Sequence, residues 1–225
     1  MIDPSPPRRR QRDRRAAADA RMVDAAIALI AERGFGGLVL GEVAARAGFS
    51  ATLPVHYYRT KEGLILHVAR AILADYDAVM RPRLEGLSGL DAIRAFVRCY
   101  FDHAREQPHR RRAFLLIAGE AAVHPALRDE VAALTELSAA GLTAMIRDGQ
   151  RSGTIEPLVD ADLFGTLILG WVRGAVSLWA LDPALDLART ATAIEAAVVR
   201  ALRDRALPPP ALPPASLAPS VQGEG

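Results

Sequence analysis

The chain has 225 residues, 51% of them hydrophobic, and carries 28 Lys or Arg against 26 Asp or Glu. That length buries a core without external staples, and the single cysteine, Cys99, excludes an intrachain disulfide and suits a reducing compartment. Charge is uneven: residues 1–64 hold eleven basic and seven acidic side chains, the remainder seventeen and nineteen, so a basic front precedes a mildly acidic body, the pattern of a nucleic-acid-binding end.

Residues 1–19 combine Pro4, Pro6 and Pro7 with Arg8, Arg9, Arg10, Arg12, Arg14 and Arg15 and read as a disordered basic arm whose last turns can become helical. They contain no apolar run of the secretory kind. A first helix is predicted over 17–33, because Met22, Val23, Ala26, Leu29, Ile30 and Arg33 recur three and four apart. Gly34 ends it, with Phe35 as an anchor beyond. A second helix is expected over 41–47, stopped by Gly48, and a third is expected to be capped by the Ser50 hydroxyl. Thr60 caps a fourth, which should end near Met80 before Arg81 and Pro82. Five more follow at about 90–106, 110–123, 125–152, 160–180 and 186–205, with Pro125 and Pro183 placed for helix starts and Gly153 for a stop. The stretch 207–225 has six prolines in nineteen residues and reads as a disordered tail.

No segment alternates with period two for long, so the fold class is all-α. It divides into an N-terminal three-helix unit over 20–66 and a six-helix body over 67–206. The helix expected over 160–180 is apolar nearly all round. Its longest uncharged run, 163–172, is ten residues and is broken by Arg173. A membrane span needs about 20 apolar residues, so this is a core or interface helix and no membrane partner is expected.

The segment 40–53 carries the functional signal. Ala44 is small enough for another helix to approach, Gly48 permits a left-handed turn, and Val43, Ala47, Phe49 and Leu53 are spaced to pack two short helices across that turn. This is the helix-turn-helix layout, whose second helix enters the major groove.

The same region resembles a family. Ala25-Ala26, Ala31-Glu32-Arg33-Gly34-Phe35, then Glu42-Val43-Ala44-x-x-Ala47-Gly48-Phe49-Ser50, then His56-Tyr57-Tyr58-x-Thr60-Lys61-Glu62-Gly63-Leu64 is similar to the N-terminal domain of TetR-type regulators. The resemblance covers residues 20–66 well and continues only as a pattern of long helices. It implies that Thr52, Leu53, Val55, His56 and Tyr57 lie on or beside the DNA-reading helix and that Lys61 meets a phosphate. Arg12, Arg14 and Arg15 of the arm are a second candidate for backbone contact. Three positions depart from the family pattern: Leu38 and Val39 stand where a hydroxyl residue is usual, Pro54 replaces an aliphatic residue, and Val55 or His56 stands where Tyr is frequent.

The resemblance also implies a homodimer, expected here through residues 160–205, and an effector pocket inside the body. Candidate walls are Val68, Ile72, Phe96, Tyr100, Phe114, Ile117, Met145, Phe164 and Trp171. Polar pointers in apolar surroundings are Cys99, His103, Glu120, Thr143 and Arg173. These favour a small hydrophobic or amphipathic effector. Cys99 and His103 are four residues apart on one helix, too few ligands for a metal. No Gly-rich phosphate loop, HExxH or GxSxG is present, so no catalytic role, metal or cofactor is expected. The reading is therefore a cytoplasmic, ligand-responsive transcriptional regulator, a repressor by family habit, binding a palindromic double-stranded operator. Two other readings fit the same residues: an orphan regulator without a small-molecule effector, and a binding or scaffold protein whose DNA function has decayed.

Overall fold

The computed structural model describes residues 7–204, with side chains from residue 11. The side chains of Arg8 to Arg10, Arg205 and the proline-rich stretch 207–225 lie outside the described residues. Among the described residues the regular structure is α1 (Pro7–Arg33), α2 (Leu40–Ala47), α3 (Leu53–Tyr58), α4 (Lys61–Leu84), α5 (Gly89–Glu106), α6 (Pro108–Ala121), α7 (Pro125–Arg151), α8 (Ala161–Leu181) and α9 (Leu187–Arg203).

Most boundaries follow the local signals, and four corrections have plain causes. First, α1 begins at Pro7 rather than near residue 17, so the helical last turns of the arm reach back well beyond the apolar stripe. Arginine, glutamine and alanine are good helix formers, and proline suits a first helical position because its missing N–H is not needed there. Second, Ser50 does not cap α3. Its carbonyl accepts from the Leu53 N–H at 3.0 Å and its hydroxyl sits 3.3 Å from that of Thr52. The helix starts at Leu53, with Pro54 in the first turn and buried, so the proline shortens α3 from its front and does not kink it. Third, α4 continues through Pro82 to Leu84. Pro82 is exposed and near the helix end, where few hydrogen bonds remain to be lost. Fourth, Pro183 lies in the turn before α9; Asp186 makes the cap, accepting from the Arg189 N–H at 2.9 Å.

Two glycines fix the N-terminal unit. Gly48 has φ 76° and donates to the Ala45 carbonyl at 3.1 Å, while Phe49 donates to Ala44 at 2.8 Å, closing the end of α2. Gly63 lets α4 begin against the end of α3: a Cβ there would stand 2.2 Å from the Tyr58 carbonyl oxygen. The Thr60 hydroxyl caps α4 by accepting from Gly63 N–H at 3.0 Å, as its position suggests.

Two apolar clusters form the core. One joins α1, α2, α3, the first half of α4, α6 and the start of α7, through residues such as Met22, Ile30, Leu64, Ile72 and Phe114. The other joins the end of α4 to α5, α7, α8 and α9, through residues such as Ile93, Phe101, Leu142, Ile168 and Val198. Each such large side chain, fully buried, is worth about 1.5–3 kcal/mol against exposure. The division does not follow the chain. Helix α6 belongs by sequence to the body, yet it packs Ala113, Phe114, Ile117 and Ala121 into the N-terminal cluster. Arg110 on α6 pairs with Asp24 of α1 at 2.6 Å and Asp75 of α4 at 2.5 Å.

Helix α8 is long and apolar enough, by length and composition, to cross a membrane. In the fold it packs on α7 and α9, with Ile168 and Val172 fully buried. Its opposite face leaves Leu163, Leu167, Trp171 and Leu178 exposed, and among the described residues no atom would lie within 4 Å of a Cβ at Gly170 or Gly174.

Candidate functional site

The first site is the outer face of α3 and the helical turns of α1 beside it. Thr52, Val55, His56 and Arg59 are exposed on or next to α3. Gln11, Arg14 and Arg15 from α1 face His56 and Tyr57 across a cleft of about 420 Å³. The Arg15 guanidinium stands 5.2 Å from the centroid of the Tyr57 ring, a cation–π contact. Of the arginines expected on a loose arm, Arg14 and Arg15 thus lie beside the third helix. Arg12 is exposed on the same helical stretch.

What orients these elements is Asp19. It accepts from the Tyr58 hydroxyl at 2.7 Å and meets His67 Nε2 at 2.9 Å, tying α1 to α3 and α4. Burial, and then the neighbouring Asp19, push the Tyr58 hydroxyl far above its ordinary pKa, so it remains a donor. Leu53 and Tyr57 are half-buried against the core cluster, which makes Leu53 more an anchor than a reading residue. Lys61 is partly enclosed: its ammonium lies 4.5 Å from the Phe35 ring centroid and 3.4 Å from the Gly36 carbonyl oxygen. Arg59 was not singled out from the sequence. It is exposed at the end of α3 with φ 65°, an uncommon conformation for a non-glycine residue, and it occupies the variable position of the aromatic-x-Thr motif.

The second site is a buried polar cluster where α4 to α8 converge. Arg111 of α6 is only 3% exposed. Its Nη1 donates to the Tyr100 hydroxyl at 3.2 Å and its Nη2 meets His103 Nδ1 at 3.3 Å. A guanidinium only donates, so Nδ1 is the acceptor and His103 is neutral with its proton on Nε2. Burial, and then the charge of Arg111, lower His103 to about 4. Arg111 also lies over the rings of Tyr100 (4.3 Å) and Tyr76 (5.1 Å). Arg173 of α8 reaches the same place: it donates to Thr135 Oγ1 at 3.2 Å, interacts with the Tyr100 hydroxyl, and stands 5.4 Å from the Phe114 ring centroid. Burial works against its charge. Two buried polar atoms here lack a partner, Arg111 Nε and the Tyr76 hydroxyl.

Tyr76 and Phe96 also line a groove of about 400 Å³ between α4 and α7, walled by Leu73, Met80, Leu134, Leu142 and Met145. Of the expected pocket residues, Tyr100, His103, Phe114 and Arg173 meet in the polar cluster, and Phe96 and Met145 line the groove. The others go elsewhere. Val68, Ile72 and Ile117 are core. Phe164 packs on the second core cluster, and Thr143 donates to the Ala161 carbonyl at 3.3 Å. Cys99 faces Arg83, whose Nη1 is 3.0 Å from its sulfur, so it and His103 serve different partners although they are one turn apart. Glu120 is half-buried at the end of α6 and in neither the cluster nor the groove lining. Trp171, expected as a wall, points outward among the exposed apolar residues of α8. Arg111 and Tyr76 were missed. The available signal was periodicity: Arg111 lies three residues before Phe114, extending the buried stripe of α6 by one turn.

Two short helices crossed about a glycine turn, the second presenting an exposed face beside basic side chains, define a helix-turn-helix unit built on an all-helical body. The model of bacterial regulatory proteins of the tetR family matches residues 22–68. Over 164 residues the chain is 28% identical to the HTH-type transcriptional regulator RutR of Escherichia coli (strain K12), covering 72% of this chain and 65% of that one. Over 111 residues it is 32% identical to the HTH-type transcriptional regulator BetI of Paraburkholderia phymatum, covering 48% and 57%. The chain thus spans somewhat under two thirds of the length of these relatives. In fold it is similar to the fatty acid degradation regulator FadR from Bacillus halodurans, with TM-score 0.75, 18% identity and coverage of 84% and 97%. It is also similar to FadR from Bacillus subtilis, solved in complex with stearoyl-CoA, with TM-score 0.72, 18% identity and coverage of 82% and 99%. Residues 22–68 thus match the N-terminal domain of the TetR family of bacterial regulatory proteins, and the rest of the chain is similar in fold to solved members of it.

Proposed function

We propose that this protein is a cytoplasmic, ligand-responsive repressor that binds a palindromic operator as a homodimer and is released by a small amphipathic effector. The observation that carries the reading is the pairing of an exposed α3 face, flanked by Arg14 and Arg15, with a buried polar cluster on α6, the helix that packs on α1. In this reading residues 20–66 form the reading head. Thr52, Val55, His56 and Arg59 meet base edges, while Arg12, Arg14, Arg15 and Lys61 meet phosphates. No residue is assigned a catalytic role.

The exposed apolar face of α8, with Gly170 and Gly174 open for close approach, forms the two-fold seam with α9. Such a seam sets two reading heads roughly 34–36 Å apart, one DNA turn. Effector binding shifts α6 and α4 together. Arg110 links α6 to Asp24 on α1 and to Asp75 on α4, so the shift reaches the reading head by both routes and alters the spacing of the heads.

A mobility-shift titration with the DNA flanking the gene tests this. A specific shift is expected, weakened by Val55→Asp and His56→Ala, and Arg14→Ala with Arg15→Ala should reduce the dependence of affinity on salt. Sedimentation should give a dimer that Trp171→Glu dissociates. A monomer, or a chain that never shifts DNA, overturns the reading.

A further inference from the structure

Among the described residues no carboxylate pairs with either arginine of the buried cluster. Elsewhere around the groove the cations are matched: Arg70 pairs with Glu130, Arg81 with Asp77, Arg110 with Asp24 and Asp75. Among the described residues neither Arg111 nor Arg173 makes an ion pair, and Arg111 is close enough to disfavour the charge of Arg173. Their partners are neutral: two tyrosines, a threonine and a neutral histidine. An enclosed guanidinium surrounded only by neutral groups is costly, because Coulomb attraction to an anion is what ordinarily offsets lost hydration.

We propose that this cluster is the head-group subsite of the effector pocket and that the effector is an amphipathic anion, with a carboxylate or phosphate head at Arg111 and Arg173 and an apolar tail in the groove between α4 and α7. The proposal rests on the ligand-responsive reading given above and names its ligand class. Three observations converge. Arg111 is 3% exposed and its Nε has no partner. The Tyr76 hydroxyl, buried and equally unpartnered, is a second donor beside it. Tyr76 is at once a wall of the cluster and a wall of the groove: the lining of Leu73, Met80, Leu142 and Met145 includes its ring, and the Arg111 guanidinium lies 5.1 Å from the centroid of that ring. The groove, about 400 Å³, is in the size range of small-molecule sites. A guanidinium fork suits a planar or tetrahedral oxyanion because it gives two parallel hydrogen bonds.

The site also suits signalling. Arg111 is adjacent to Arg110, which holds α1 and α4. An anion that draws Arg111 toward Arg173 moves the segment of α6 that carries this link. A neutral ligand of the same shape lacks that pull.

The test uses the full chain and four ten-carbon probes, measured by calorimetry: decanoate, decyl phosphate, decanol and decyltrimethylammonium. At least one of the two anions should bind tenfold or more tightly than decanol, and the cation should be weakest; which anion is tighter identifies the head group. Arg111→Gln and Arg173→Gln should each remove the preference for anion over alcohol while leaving decanol affinity within about twofold. The probe series on the unaltered chain decides the matter even if a variant fails to fold. Equal affinity for decanol and both anions, tightest binding of the cation, or no binding by either anion overturns the proposal. The same samples are followed for DNA release. Anion binding without release leaves the subsite standing and sinks the ligand-responsive reading, whereas release by an uncharged or cationic compound only does the reverse.

Discussion

Arginine plays opposite parts at the two ends of this molecule. Beside α3, Arg12, Arg14 and Arg15 are exposed, and at most one ring contact restrains them. Where α4 to α8 meet, Arg111 is enclosed among tyrosines and a neutral histidine. The first kind stays hydrated, is screened by salt, and adds little to stability. The second kind carries a desolvation cost that nothing in the folded chain fully offsets. A surface cation is ready for any polyanion, while a buried one singles out an anion that fits. Sequence charge counts see only the first use.

The contrast can be broken or sharpened by experiment. The largest effect is expected at the joint that holds the reading head together. Gly63→Ala would drive a Cβ into the Tyr58 carbonyl and force α3 from α4, lowering stability on the order of 4 kcal/mol and abolishing the DNA shift; chemical denaturation measures the loss. Next comes pH. His103 is held neutral, at about 4 against an ordinary 6.5, by burial first and the Arg111 charge second. The unfolded chain takes up this proton more readily than the folded one, so stability is full above pH 6.5 and declines as pH falls toward 4, by about 3 kcal/mol. His103→Gln should flatten that window in denaturant titrations; an unchanged slope would place the sensitivity elsewhere.

A smaller effect separates the two kinds of arginine. Arg111→Met replaces an unmatched buried cation by an apolar chain of similar reach and should leave stability unchanged or raise it by about 2 kcal/mol. Arg15→Met should leave stability unchanged and weaken DNA binding instead. A strong loss of stability in Arg111→Met would mean that the cation is structural. Smallest of all, Thr60→Ala removes the cap of α4 and should cost about 1 kcal/mol in thermal unfolding, with the fold intact.

Much of the head was legible in the chain because its signals are local. The stripe through Met22, Ala26, Leu29 and Ile30, the turn at Gly48 and the cap at Thr60 involve neighbours within a few residues. The reach of α1 was less legible: the arginine run reads as coil by charge, but its residues are good helix formers, and Asp19 anchors the following turns to Tyr58 and His67 from 39 and 48 residues away. The pocket was harder still. Tyr100, His103 and Arg173 stood out as polar groups in apolar stretches, but Arg111 was hidden in a run of three arginines whose other members look outward or pair. Trp171 looked like a wall and proved to be an exposed surface residue, because an apolar helix does not announce which side meets its own chain.

The sequence by itself determined most of the helices, the glycine turn between the second and third, and the resemblance to a family, since each depends on residues close together in the chain. Only the tertiary structure decided that α6 leans on α1, that the basic turns of α1 lie against α3, and that Arg111 meets Arg173 at Tyr100. Those are meetings of residues up to 86 positions apart, fixed by which apolar faces close on one another, and no local pattern records them.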